Sequence, residues 1–326
     1  MLRIVFNTDD IARTRIAAAP DPLWELVLSL HMLRGQRGDL LFGQWRRDTA
    51  TAARRAGLGG RMRLLNALTP TFGYFPDFLN PAAAQCGMEH GLEAIRSTPK
   101  PVLRRDLGRL AVPRGPASPL RPLAHGDVAE LMALTQTMRA YHEIAIAPHM
   151  EAVVAAVEYD RAMRIHAMLH RGVEGLFASM GGVLSWSAGE LRVANHPDQE
   201  ILLGGRGLVL IPSYFLLHHP LTLFDDALPP VLVYPVERMP STAFGLGRDS
   251  RPCVAALIGH TRAAILEAAT MNCTTSQLAR RVGVSTASAS QHAAVLRDAG
   301  LITSHRDRNR MLHRVTRLGL AILNGG

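Results

Sequence analysis

The stretch VSTASASQHAAVLRDAGLI, residues 284–302, decides the fold of the C-terminal quarter of this chain. It begins with small hydroxyl-bearing residues, becomes apolar at helical spacing and ends at a glycine. On a wheel of about 100° per residue, Ala289, Ala293, Leu296 and Gly300 cluster on one face. The pattern predicts a short helix that packs on this face and stops where Gly300 adopts a left-handed conformation.

The opposite face of this helix is small and polar. Ala287, Gln291 and Asp298 point away from the packed side, and Ser288 and Ser290 flank the first turns. A helix that only meets solvent usually has Glu, Lys or Arg at such positions. Small residues instead let a partner approach closely, hydroxyls at a helix N-terminus suit phosphate contact, and glutamine can pair with adenine in the major groove. Val295 also falls outward, and the wheel offers no reason for it.

Two more helices are predicted before this one. VAALIGHTRAAILEAA, residues 254–269, has apolar residues at helical spacing. Thr274 with Gln277 three residues later forms a capping-box pattern, which opens a second helix. Gly283 suits a tight turn between two helices, and Ser285 is the expected N-cap of the third helix.

A basic hairpin is predicted after the third helix. LITSHRDRNRMLHRVT, residues 301–316, contains two β-like runs around a turn that carries Arg306, Arg308 and Arg310. Thr316 is the expected cap of a last helix, RLGLAIL. The order of helix, capped helix, glycine turn, helix and basic hairpin is that of a winged helix-turn-helix, whose wing lies against phosphates or in a minor groove.

The run TTSQLARRVGVSTASASQHAAVLRDAGLI, followed by the basic hairpin and VTRLG, resembles the DNA-binding domain of ArsR-type transcriptional regulators over about residues 252–324. One departure is Ala293, where the family usually has a larger apolar residue, commonly Leu. The resemblance implies contact of this domain with double-stranded DNA. The expected contact residues are Thr286, Ser288, Ser290, Gln291 and His292 in the recognition helix, Arg306, Arg308 and Arg310 in the wing, and the helix caps Thr274 and Ser285.

Residues 1–245 are expected to form a separate region, helical over 7–180 and strand-rich over 183–236. Its clearest helix starts at Asp21 as N-cap, with Pro22 in the first turn. The region resembles, more loosely, an uncharacterised region that precedes such winged helices in longer regulators, on DPLWELVLSLHMLR and GGRGLVLIPSYF. The expected fold class is therefore α+β, mainly helical, with a mixed N-terminal region followed by a winged helix-turn-helix domain at 252–324.

The positive charge of the chain is concentrated at its C-terminal end. The formal net charge is +9. Residues 251–326 contain ten arginines against three acidic residues, a net charge of +7, which leaves +2 for the first 250 residues. A basic module of this kind favours an anionic partner such as nucleic acid.

The sequence favours a reducing compartment and no membrane span. The three cysteines, Cys86, Cys253 and Cys273, are few and widely spaced, which argues against a disulfide framework. The N-terminus lacks the long apolar segment of a signal peptide, and no apolar stretch reaches the length of a membrane span. We therefore expect a cytoplasmic protein.

Two alternatives remain open: a metal-responsive sensor, and an enzyme or interaction domain that carries a vestigial winged helix. His166 and His170 have the i, i+4 spacing of a metal pair, but no glutamate lies between them, and the pattern is more typical of partly exposed helix histidines. The second and third C-terminal helices lack the Cys-x-Cys pairs found in many members of the family that the chain resembles. GGRG at 204–207 lacks the lysine of a P-loop, and Ser213 lacks a nucleophile elbow. We therefore expect no metal, no cofactor and no enzymatic activity.

The sequence-based hypothesis is a DNA-binding transcriptional regulator, expected to act as a repressor. A homodimer is expected to bind a pseudo-palindromic operator with one recognition helix in each half-site. Residues 1–245 are expected to provide dimerisation, the binding of a small-molecule effector, or both.

Overall fold

The computed structural model describes residues 1–35, 39–70, 73–110, 120–181, 184–217, 219–237, 258–271, 273–307 and 310–323. The chain divides into two compact units, the first with Met1–Gly38 and Trp45–Thr242, the second with Asp39–Gln44 and Ala243–Gly326. The described residues form a mainly helical α+β fold, as the sequence predicts. Residues 245–252, which separate the two regions predicted from the sequence, and the predicted wing residue Arg308 lie outside the described residues.

Helices occupy most of the chain up to Ser179, and all of these residues belong to the first unit except Asp39–Gln44, which begin one of the helices. The helices are α1 (Thr8–Arg13), α2 (Pro22–Arg34), α3 (Asp39–Arg55), α4 (Met62–Leu68), α5 (Met88–Arg96), α6 (Lys100–Arg109), α7 (Arg121–Ala124), α8 (Val128–Ala145) and α9 (Met150–Ser179). A 3₁₀ turn at Ala147–His149, which contains Pro148, separates α8 from α9. Helix α9 is itself broken by non-helical backbone at Arg171 and Gly172.

Helix α2 is buried over most of its length. The Asp21 carboxylate accepts hydrogen bonds from the backbone N–H groups of Leu23 and Trp24, at 3.0 and 3.1 Å, so the predicted N-cap is confirmed. Every residue from Leu23 to Leu30 is buried, so this part of the helix is covered on all sides. The burial includes Glu25, whose carboxylate accepts hydrogen bonds from the Ser213 hydroxyl and from two backbone N–H groups beyond it.

Two sheets follow from the strand-rich part of the sequence. The strands are β1 (Leu2–Val5), β2 (Arg15–Ile16), β3 (Leu184–Ser187), β4 (Glu190–Val193), β5 (Gln199–Leu202), β6 (Val209–Ser213) and β7 (Val231–Pro235). The first sheet has the order β3-β4-β1-β5, with β1 antiparallel to β4 and parallel to β5. The second sheet, β2-β6-β7, is parallel throughout. The strands predicted over 183–236 are thus present, and β2 lies in a stretch for which helix was expected.

The core between these sheets and α9 is aromatic and aliphatic. Phe6, Phe177 and Trp186 form a cluster whose ring centroids are 5.0–5.8 Å apart. Leucine, isoleucine and valine side chains from β1, β4, β5 and β6 pack around them. The N-terminal strand is therefore held in the middle of a sheet formed by residues almost 200 positions later in the chain.

The second unit contains four described helices and a three-stranded sheet. Its elements are α10 (His260–Ala268), a 3₁₀ turn (Ala269–Met271), β8 (Cys273–Thr274), α11 (Thr275–Val282), α12 (Thr286–Asp298), β9 (Ile302–Asp307), β10 (Arg310–Val315) and α13 (Arg317–Leu323). The antiparallel sheet has the order β8-β10-β9. The second and third predicted helices, the hairpin and the last helix are present in the predicted order. The first predicted helix, residues 254–269, is described only from residue 258 and is interrupted at Gly259, whose φ of +89° is not helical. Strand β8 is an element that the sequence pattern did not predict.

Candidate nucleic-acid interface

Local capping fixes where α11 and α12 begin. The Thr274 hydroxyl accepts from the Gln277 N–H at 3.3 Å, and the Gln277 side chain accepts from the Thr274 N–H at 2.8 Å, which confirms the capping box. Gly283 ends α11 in the left-handed region, with φ +75° and ψ +31°. The Ser285 hydroxyl then accepts from the Ser288 N–H at 3.1 Å and starts α12. Because these signals are local, the sequence alone is sufficient to locate both helices.

The buried residues of α12 are those that helical periodicity predicts, except at the last predicted position, Gly300. Ala289, Ala293 and Leu296 are buried against the aliphatic core of the unit. Position 293 is thus buried although its alanine is smaller than the residue that is usual in the family that the sequence resembles. Gly300 has the predicted left-handed φ, +71°, but it is exposed rather than packed, because it lies beyond the last helical turn.

The outward face of α12 presents neutral polar groups. Thr286, Ser290 and Gln291 are exposed, and Ser288 and His292 are partly buried. Within the described part of the chain, no hydrogen bond uses the side chain of Ser290 or Gln291. Hydroxyl and amide groups in this state can donate to and accept from an external partner, including the edges of base pairs.

The hairpin beside this helix continues the exposed surface. Strands β9 and β10 pair from Arg310 opposite Asp307 to Val315 opposite Ile302, and they are the two strands that the sequence predicts. Arg306 is exposed on β9. Of the other two predicted wing residues, Arg310 lies at the start of β10, and Arg308 is outside the described residues.

His313 joins the hairpin to the start of α11. It is buried, and its ring nitrogens lie 2.9 Å from the Thr275 hydroxyl and 2.8 Å from the Ser304 hydroxyl. Burial, with a smaller contribution from the positive charge of Arg297, lowers the pKa of the ring below its usual value. The sequence pattern did not identify this residue, because its partners are 38 and 9 positions away.

The last helix is tied to the turn that follows α12. The Thr316 hydroxyl donates to the Gly300 carbonyl at 2.6 Å and accepts from the Gly319 N–H at 3.0 Å, which confirms Thr316 as a cap. A Cβ atom at Gly319 would overlap the Leu301 carbonyl, so α13 approaches this turn as closely as a backbone can.

Arginines dominate the charged surface of the second unit. The exposed acids described there are Glu267 and Asp298, and Asp298 is paired with Arg297 at 3.1 Å. The exposed basic side chains of this unit are more numerous: Arg262, Arg280, Arg281, Arg297, Arg306, Arg314 and Arg317. An anionic partner would therefore meet an attractive surface.

The candidate metal ligands do not form a larger cluster. The rings of His166 and His170 are exposed, with centroids 4.3 Å apart. In the ranges that the structure describes, no three His, Cys, Asp or Glu side chains come together as a set that could hold a metal ion. Cys273 is buried and accepts a hydrogen bond from Arg281, and Cys253 lies outside the described residues.

None of the helices in the described ranges has both the length and the apolar composition that a bilayer crossing requires. Comparison of the chain with protein-family models, with curated proteins and with solved structures gives no match.

Proposed function

We propose that the second unit is a winged helix-turn-helix and that the protein is a transcriptional regulator that binds double-stranded DNA. Helices α11 and α12 are then the helix-turn-helix, α12 is the recognition helix, and the β9–β10 hairpin is the wing. The order of elements, the left-handed turn at Gly283 and the basic hairpin support this assignment.

The observation that carries the proposal is the outward face of α12. Ser290 and Gln291 are exposed on a capped helix, and their hydrogen-bonding groups are unused within the described residues. A glutamine in this position can form two hydrogen bonds with adenine, and serine can bond to several bases. The arginines of the same unit supply phosphate contacts, which fix the protein on the duplex without selecting a sequence.

A homodimer on a pseudo-palindromic operator is part of the proposal. One small winged helix makes few phosphate contacts, and two copies raise both affinity and specificity. The two half-sites should lie about one helical turn of DNA apart, or a multiple of it. Repression is the expected direction of regulation.

The test is selection of duplexes from a random library by the full-length protein, followed by affinity measurements over a range of salt concentrations. We expect enrichment of a two-fold symmetric site and an affinity that falls steeply with salt, with a slope near −0.9 for each phosphate contact. An Arg171→Ala variant is a control that should keep the wild-type salt slope, because Arg171 is 64% exposed but belongs to the first unit. The proposal fails if no site is enriched and binding has no salt slope, which is the behaviour of a vestigial module.

A further inference from the structure

Val295 is an exposed valine in the last turn of α12. Its exposure is 43%, whereas the adjacent Leu296 is buried in the core. A single exposed apolar residue is ordinary at a protein surface. The position of Val295 is informative for another reason: it lies four residues after Gln291 and seven after Ser288, which places all three side chains on one stripe of the helix.

The distances between these side chains along the helix axis are similar to the length of two or three stacked base pairs. Seven residues of α-helix rise about 10 Å, and the four residues from Gln291 to Val295 rise about 6 Å. Base pairs are stacked about 3.4 Å apart along the duplex axis. A helix that lies along the major groove with Gln291 on one base pair therefore brings Val295 over a base pair no more than two steps away.

The distribution of charged residues on α12 also limits the candidate DNA-facing surface to the stretch that ends at Val295. No acidic residue occurs in α12 before its last position, Asp298. Asp298 lies one turn after Val295, is 70% exposed and forms an ion pair with Arg297. Beyond Val295 the exposed side chains of α12 are the ion pair of Arg297 and Asp298, so the neutral part of its exposed surface ends at Val295.

The apolar group that the major groove offers to such a side chain is the C5 methyl of thymine. Valine suits this contact, because its two methyl groups are held in essentially one rotamer in a helix and little entropy is lost on binding. We infer that Val295 selects a thymine within two base pairs of the adenine bound by Gln291. This inference rests on the proposed function, since it assigns a base preference to the same helix.

The experiment removes the methyl group without changing any hydrogen-bonding edge. Each thymine of the selected duplex is replaced in turn by uracil, and the affinities of full-length wild type and Val295→Ala are measured for every duplex. For the wild type, we expect one uracil position within two base pairs of the Gln291-dependent adenine to lower affinity about fourfold, the value of one buried methyl-sized group. For Val295→Ala, the same position should have no effect.

A matched control is Leu318→Ala, because Leu318 is 55% exposed in the same unit but belongs to α13. This variant should keep the wild-type response to every uracil. Val295→Ala is expected to fold normally, since the side chain is exposed and alanine favours helix more strongly than valine.

Failure of the inference and failure of the proposed function give different results. If the wild type binds the selected duplex but no uracil position distinguishes it from Val295→Ala, the inference is wrong and DNA binding stands. If Val295→Ala instead changes the mass of the protein in sedimentation and leaves the uracil response intact, Val295 contacts another protein chain and the inference is also wrong. If the selection yields no duplex, the proposed function fails and the inference fails with it.

Discussion

Replacement of Gln291 by alanine should weaken binding to the selected duplex and relax the preference at one base pair, with no loss of folding stability. The side chain is exposed, and no hydrogen bond among the described residues uses its amide group. The free energy of unfolding should therefore change by less than about 0.5 kcal/mol. Loss of a bidentate contact with adenine should reduce the binding free energy by about 1–3 kcal/mol, which is roughly a 5- to 140-fold loss of affinity.

The assay is fluorescence anisotropy at one fixed salt concentration, with every base pair of the duplex substituted in turn. Wild type and Gln291→Ala are compared on each duplex, and hydrogen exchange of the α12 amides verifies that the helix is intact. Gln136→Ala is a suitable control, because Gln136 is an exposed glutamine on α8 of the first unit. If Gln291→Ala discriminates at all positions as sharply as the wild type, α12 does not select bases through Gln291 and the interpretation of its outward face is wrong.

Three further predictions concern the same unit. Arg306→Ala should weaken binding to all duplexes by a similar factor and reduce the salt slope by about one, because a phosphate contact carries no sequence information. Ser285→Ala removes the 3.1 Å cap to the Ser288 N–H, and should cost about 1 kcal/mol, measured as faster hydrogen exchange in the first turn of α12. Burial, and secondarily the charge of Arg297, lower the pKa of His313 in the folded state. The unfolded state therefore binds more protons in acid than the folded state. The contribution of neutral His313 to the free energy of unfolding should be fully present above about pH 6.5 and should decline as the pH falls below it. Exchange of the β10 amides between pH 5 and pH 7.5, corrected for the intrinsic rate, measures this decline.

Each of these predictions has an outcome that contradicts it. An effect of Arg306→Ala confined to one base pair would indicate base contact rather than phosphate contact. Unchanged exchange in Ser285→Ala would show that tertiary packing, not the cap, holds the start of α12. For His313, a His313→Gln variant keeps a polar group at the site but has no titratable ring, so a pH dependence that survives in this variant must come from other groups.

The elements that could be predicted from the sequence are those whose signals are local. The capping box at Thr274, the cap at Ser285 and the turn at Gly283 each involve residues within four positions of one another, so the boundaries of α11 and α12 follow from the printed sequence. The buried side of α12 also follows, because helical periodicity determines which positions share a face.

The features that could not be predicted depend on partners far along the chain. A glutamate is usually exposed, so the sequence does not predict that Glu25 is buried. Its carboxylate accepts hydrogen bonds from the Ser213 hydroxyl and the Tyr214 N–H, almost 190 positions later. The two-residue strand β8 is too short for any periodicity, and pairing with β10 alone defines it. The exposure of Val295 could be predicted, because helical periodicity places it outward. Its role could not be predicted from that exposure alone, and only its position on one stripe with Ser288 and Gln291 suggests contact with a base.

Thr274 belongs to two elements at once. Its backbone pairs with Leu312 in the sheet, and its side chain caps α11. His313 adds a second connection between the same two elements through Thr275. Separation of the hairpin from β8 would therefore also uncap the helix, so the hairpin and the helix pair should open as one cooperative unit rather than fray independently. A substitution or ligand that loosens one end of this domain should therefore loosen the other end as well.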